Sequence, residues 1–283
     1  MIGEVLFGRY RIDALTSSRA GELVWAGADL HALAPVTIKM SPADADPQRV
    51  LLEGEAMAAV RHPGVVRLVD FGLHQGELPC LIMERVEGET LAQRLFTAGR
   101  LPWFSAFELA AEALDGLAAL HDEGLVHGDL APYHLVLRRG FRVKVVGLGH
   151  VALASTEDVP AADRVWPLAH PTYKAPEQLS GAGQRVGSDI YAVGVMLWEA
   201  VSGSNPFSAA PEDIAIRTSF RPDYESLPAG TPSLPIAARL ALDHMLQPSL
   251  AVRESDARRC GRRLRSALGI EVEPDRGRWA RAM

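Results

Sequence analysis

Residues 125–137 read LVHGDLAPYHLVL, and the reading of the whole chain turns on them. Alone, this stretch is a weak signal. The segments downstream of it make it strong: VKVVGLG at 143–149, HPTYKAPE at 170–177, SDIYAVGVMLWEAVSG at 188–203, and Arg253 ahead of a terminal helix. Five ordered motifs at these spacings do not arise by chance.

Upstream of that stretch the chain is strand-like. Residues 9–40 alternate short apolar runs with polar turns, YRIDAL, ELVWAGADL and APVTIKM, which is the pattern of an antiparallel sheet. Residues 48–60, QRVLLEGEAMAAV, carry helical periodicity with Gly54 as the one breaker, and HPGVVRLVDFGL and GELPCLIMERV return to strand. After Gly88 the character changes. SAFELAAEALDGLAALHDEG is an amphipathic helix ended by Gly124 as a C-cap. Ile190–Val201 is apolar nearly all round, hence a buried helix, and residues 235–247 and 255–268 supply two more. The expected plan is α+β: a β-rich lobe over 1–86, with five strands and one helix, and a mainly helical lobe over 87–283.

Bulk composition narrows the function. With 283 residues, 48% apolar and 23% charged, the chain can bury a sizeable core. A net charge of −6 argues against nucleic acid or an anionic membrane as the main partner. The arginines between Arg258 and Arg265 read as the solvated face of a helix. Cys80 and Cys260 have no partners at metal-ligand spacing and suggest a reducing compartment. MIGEVLFGRY has no basic start followed by an apolar run, and Ile190–Trp198 is half the length of a membrane span. A soluble, cytoplasmic protein is expected. Of 29 basic residues only Lys39, Lys144 and Lys174 are lysines. Each merits separate weighing, because an ammonium is not interchangeable with a guanidinium fork.

The motifs resemble those of the protein kinase superfamily, specifically the bacterial Ser/Thr type, over roughly residues 9–268. The resemblance implies a bilobal kinase fold. It also sets expectations for a chemistry that needs phosphates positioned, their charge neutralised by magnesium and a nucleophile oriented. In LTSSRAGELVW, counting back from Val24, the three phosphate-loop glycine positions fall on Ser17, Arg19 and Glu22; a one-residue shift rescues only Gly21. The phosphate clamp is therefore expected to be missing, and Glu22 or Glu53 would repel phosphates. Lys39 in PVTIK matches the family lysine, with Glu55 as its helix carboxylate, and Thr37 stands where a small Ala contacts adenine. Val24 and Thr37 would line the nucleotide, Met83 would be the gatekeeper, and Glu84 and Val86 would offer backbone contacts to adenine.

In the catalytic loop Asp129 matches the family base, whereas the family Arg, Lys and Asn are Gly128, Ala131 and His134. An imidazole is a poor magnesium ligand. The family D-F-G is Gly147, Leu148, Gly149, so the metal-holding carboxylate is missing too. The supports look intact. Ala175, Pro176 and Glu177 keep A-P-E, Arg253 fits the partner of Glu177, and Asp189 fits the Asp that fastens the catalytic loop. His127, Leu148, Leu68 and Ala59 fit the apolar column between lobes. In the segment from Gly147 to Glu177 the substrate-loop Thr is His170, and Ser155 and Thr156 are candidate phosphorylation targets. His127, His134, His150 and His170 lie near the cleft, but on separate loops, and no metal is expected there.

The resemblance with these losses implies a pseudokinase: a regulatory or scaffolding module whose partner is a protein, such as an active kinase or signalling protein. It needs no cofactor, and the Lys39–Glu55 pair leaves ATP or ADP binding without magnesium open. The alternative is a weakly active Ser/Thr kinase, or another ATP-using transferase, relying on Asp129. A small-molecule phosphotransferase fits less well, since those relatives keep the metal ligands and lack A-P-E.

Overall fold

The computed structural model describes residues 1–19, 22–41, 47–138, 142–148, 152–153, 170–208, 222 and 234–270; side chains at 19, 22, 48, 49, 52, 53, 56, 152 and 153 lie outside that description. Ser155, Thr156, Gly21, Gly149 and His150 fall outside it as well.

A six-stranded antiparallel sheet opens the chain: β1 (Val5–Leu6), β2 (Tyr10–Arg19), β3 (Glu22–Asp29), β4 (Ala34–Met40), β5 (Leu68–His74) and β6 (Leu78–Glu84), in the order β1-β2-β3-β4-β6-β5. This is one strand more than expected. β1 is two residues long, too short to show a period of two, and it pairs back on β2 through Leu6↔Tyr10. One face of the sheet is a closed apolar layer of Leu6, Tyr10, Ile12, Trp25, Val36, Ile38, Met40, Cys80 and Ile82. Because side chains alternate along a strand, Thr37, Lys39, Leu81 and Met83 point the other way, toward the rest of the molecule.

On that second face lies α1 (Pro47–Ala59), packed against β5. Gly54 is what lets it approach: a Cβ there would come within 2.6 Å of the Phe71 ring. The inward stripe of α1 is Val50, Gly54 and Met57, all buried.

The remainder is mainly helical. α2 (Leu91–Ala98) starts with a capping box: Thr90 Oγ1 accepts from the Gln93 amide, and the Thr90 amide donates to Gln93 Oε1. α3 (Trp103–Asp122) is the central helix, its Phe107, Leu114, Leu117 and Leu120 wholly buried, and Gly124 follows it at φ +70°. It packs against α5 (Val186–Ser202), buried nearly all round as expected, and α7 (Ala257–Ala267). The short α4 (Pro176–Leu179) and α6 (Ile236–Met245) complete the helices among the described residues.

Short strands frame the loop that matters. β8 (Leu125–Val126) pairs with β11 (Ala152–Leu153), while β7 (Glu89–Thr90), β9 (Leu135–Arg138) and β10 (Arg142–Val145) form a three-stranded sheet. Residues 127–134 are thus held between β8 and β9. The sheet and the helical part are stitched by backbone: the Val66 amide donates to Val145 O, and the Val145 amide donates to Gly64 O, each at 2.8 Å.

Both cysteines are buried and unpaired, and burial pushes their thiols up to about 11 for Cys80 and about 12 for Cys260. No helix among the described residues is long and apolar enough to cross a membrane. Four of the five arginines of α7 are ion-paired: Arg258 with Asp122, Arg259 and Arg263 with Glu254, and Arg265 with Asp115. That pairing accounts for the run of positive charge without a polyanionic ligand.

Candidate functional site

Asp189, in the first turn of α5, is the post on which the 127–134 loop hangs. It is wholly buried, and its oxygens accept from the His127 amide and the Gly128 amide, each at 2.9 Å, and from His121 Nε2 at 2.9 Å. Burial by itself would raise this carboxyl; the His121 contact and the loop amides outweigh it and hold the pKa below the ordinary value. The His127 ring is fixed at both nitrogens. Nε2–H donates to Val146 O at 2.9 Å, and Nδ1 accepts from the Asp129 amide at 3.4 Å. Neither nitrogen is left for a metal.

Gly128 adopts φ +72°, and a Cβ there would lie 1.5 Å from Gln184 Oε1. The buried Gln184 side chain fills the volume into which any side chain at 128 would have to grow. Asp129 follows, 5% exposed, with Oδ1 accepting from Lys174 Nζ at 2.6 Å. Its backbone oxygen accepts from His134 Nδ1–H at 2.7 Å.

His134 sits in the one-turn helix Pro132–His134, beside Gly147, which lies two residues beyond the end of β10. Gly147 has φ +79°, and a Cβ on it would come within 2.3 Å of His134 Cδ2 and 2.8 Å of Nε2. The imidazole therefore occupies the space of a side chain at 147. Burial, with His127 next to it, pushes the His134 pKa down to about 3, so it is a neutral ring at any physiological pH. His170 stacks on Tyr133 (centroids 5.1 Å apart) and meets His134 edge-on at 6.3 Å. Three of the four expected histidines thus come together, His134 lying between a tilted His127 ring at 5.4 Å and the edge-on His170, and the fourth, His150, lies outside the described residues. No group of three or more His, Cys, Asp or Glu among the described residues could hold a metal ion.

Magnesium does not fit these residues. The position that would need a carboxylate is a glycine whose side-chain volume is filled by imidazole carbon and nitrogen, whereas magnesium demands hard oxygens in near-octahedral geometry.

Across from this loop, the inner sheet face carries the residues expected to contact nucleotide. Val24↔Lys39 and Lys39↔Leu81 are direct cross-strand partners, as are Thr37↔Met83, so Val24, Thr37, Lys39 and Met83 sit side by side. Lys39 and Met83 are buried, while Val24 and Thr37 are half-buried. Glu84 ends β6; its carboxylate accepts from the Arg67 amide at 2.8 Å and pairs with Lys144 of β10. Val86, two residues on, packs on the main core.

Two expected residues of α1, Glu55 and Ala59, lie on its exposed side. Glu55 is exposed, whereas Lys39 is buried. Since the inward stripe is Val50, Gly54 and Met57, a residue adjacent to Gly54 is turned about 100° away from it. The same register puts Met57, 2% exposed, in the core cluster that also holds Leu148 and against which Leu68 packs, while Ala59 is exposed. The second departure is a shift of two residues, from Ala59 to Met57.

The support pair is as expected. Arg253 Nη1 and Nη2 meet Glu177 Oε1 and Oε2 at 2.6 and 3.0 Å, and Ser188 Oγ–H donates to Oε1 at 2.7 Å. Arg253 also donates to the carbonyls of Gly187, Gln247 and Pro248, so all five of its N–H groups are used.

Sequence reasoning missed Lys174 at Asp129, Lys144 at Glu84, Gln184 at Gly128 and His121 at Asp189. The signal for the first two was the rarity of lysine: all three lysines are buried.

Residues 29–253 match the protein family described as Protein kinase domain. The chain is 36% identical over 213 residues to serine/threonine-protein kinase pkn2 of Myxococcus xanthus, covering 72% of this chain and 25% of that protein. With serine/threonine-protein kinase PknA of Mycobacterium tuberculosis it shares 31% over 261 residues, 89% of this chain and 59% of the relative. With the probable serine/threonine-protein kinase PknB of Lactococcus lactis it shares 29% over 234 residues, 81% of this chain and 36% of the relative. The chain spans less than two thirds of the length of each.

Proposed function

The chain belongs to the protein kinase family, and we propose that it is a member in which magnesium-dependent phosphoryl transfer has been lost, leaving a regulatory or scaffolding module. The observation that carries this reading is the imidazole of His134 in the volume of a side chain at Gly147. Phosphoryl transfer is almost entirely positioning and charge neutralisation, and the metal bears most of the second task. Without a carboxylate at 147 and with a neutral imidazole at 134, no hard-oxygen pair offers itself. The Lys174–Asp129 contact adds support, since a carboxylate in a buried ion pair is a poor acceptor for a substrate proton.

In this reading no cofactor is required, and ATP or ADP binds without magnesium, against the face formed by Val24, Thr37, Lys39 and Met83 and the backbone at Glu84 and Val86. The partner is a protein, such as an active kinase or signalling protein, and it recognises the folded domain.

The comparisons favour the second reading, a weakly active Ser/Thr kinase using Asp129, because the three relatives are all called kinases. Transfer of the labelled γ-phosphate of ATP to the chain itself and to a generic Ser/Thr substrate, with magnesium or manganese, separates the two. The proposal expects no label above that of heat-denatured protein. Label that disappears in Asp129→Asn would establish the kinase instead.

A further inference from the structure

Lys174 turns inward from the stretch between the one-turn helix Pro171–Tyr173 and α4. Its ammonium donates to Gly128 O at 2.7 Å and to Asp129 Oδ1 at 2.6 Å, with the two side chains only 9% and 8% exposed. Gln178, in α4, donates through Nε2 to the same Gly128 carbonyl at 2.7 Å. Two side chains from one segment thus converge on two consecutive residues of the catalytic loop.

The loop itself is shaped around this arrangement. At Gly128 the space for a side chain is filled by Gln184, and Ala131 is wholly buried. A long cation growing from either position would have to displace packed neighbours, so the positive charge beside Asp129 comes from outside the loop. Asp129 is the carboxylate that Lys174 meets among the described residues, and a buried ammonium without a counter-ion carries a large desolvation cost.

We propose that Lys174 is a built-in clamp: it fastens segment 170–179 to the catalytic loop without any phosphate and commits Asp129 as its permanent counter-ion. This deepens the proposed function, in which Asp129 has no proton to accept, but its test is independent of phosphoryl transfer. The clamp predicts a pattern that a free catalytic carboxylate would not show. Replacing Asp129 by Asn strips a buried ammonium of its partner and harms the fold, where removal of a free carboxylate would leave the fold untouched.

Thermal denaturation of wild type, Asp129→Asn, Lys174→Met and the double variant decides it, together with amide exchange at Tyr173 and Lys174, whose N–H groups bond His170 O and Pro171 O. Asp129→Asn should lower the melting temperature by roughly 10 °C. Lys174→Met should cost less, and the double variant should regain most of the loss. Exchange at the two amides should quicken in both single variants and stay slow in wild type after phosphatase treatment. Additive losses in the double variant, an unchanged melting temperature in Asp129→Asn, or protection lost on phosphatase treatment would overturn the clamp. If Asp129→Asn does not fold, a folded double variant supports the clamp and an unfolded one overturns it. Label transfer from ATP would defeat the proposed function and leave each of these outcomes as it stands.

Discussion

At the scale of single residues, His134 and Gly147 have to be read as one substitution. The ring needs the glycine, because any Cβ at 147 would lie 2.3 Å from Cδ2. Restoring a carboxylate by Gly147→Asp alone should therefore destabilise the protein by about 2–3 kcal/mol, from overpacking and from φ +79° on a residue with a side chain. Adding His134→Asn should recover much of that, as measured by urea denaturation. If Gly147→Asp melts like wild type, the imidazole does not fill that space. His134 also makes a pH prediction. Its pKa is about 3 in the folded state against 6.5 for a free imidazole, so between those values the unfolded chain binds a proton that the folded state does not. Acidification from pH 7 to pH 5 should then cost wild type at most about 2 kcal/mol through this group. His134→Asn should lose that component of the acid sensitivity; an unchanged slope of stability with pH would contradict it.

At the scale of elements, the loop and segment stay in place because a few buried polar groups are fully partnered. Arg253 joins α4, the start of α5 and the turn at 247–248 through five donors. Arg253→Ala should cost about 3–5 kcal/mol in chemical denaturation, since Glu177 would stay buried without its partner. α1 makes a different prediction. Helix propensity alone says that Gly54→Ala should stabilise by up to about 1 kcal/mol. The Phe71 ring within 2.6 Å of the new methyl says the reverse, and a loss of about 1–3 kcal/mol is expected from the same melts. This helix also shows where reading the sequence stops. Its existence and limits followed from periodicity, because Val50, Gly54 and Met57 repeat at helical spacing. Its register toward Lys39 did not, because periodicity tells which residues share a face and not which way that face turns. β1 escaped notice for a related reason: two residues have no period. By contrast, α5 was legible as a helix apolar all round, and Glu177 with Arg253 and Asp189 were legible through the resemblance of the ordered motifs to the kinase family. Lys174 on Asp129 is a contact across 45 residues, made by a side chain that local sequence places in an ordinary turn.

At the scale of the molecule, the two halves of the site differ in chemistry. The sheet face that would receive a nucleotide keeps its lysine, Lys39, among apolar neighbours, and the backbone stitching between Gly64–Val66 and Val145 keeps that face opposite the catalytic loop. The loop and the residue facing it hold a glycine at each of two crowded positions, Gly128 and Gly147, a half-buried imidazole and an ammonium from outside the loop. Function should therefore divide along the same line, with binding separable from metal-assisted chemistry. Calorimetric titration with ATP, in magnesium and again in EDTA, tests this most directly. Magnesium should not strengthen the interaction, whatever affinity the metal-free titration gives. An affinity raised about tenfold or more by magnesium, worth about 1.4 kcal/mol, would contradict it.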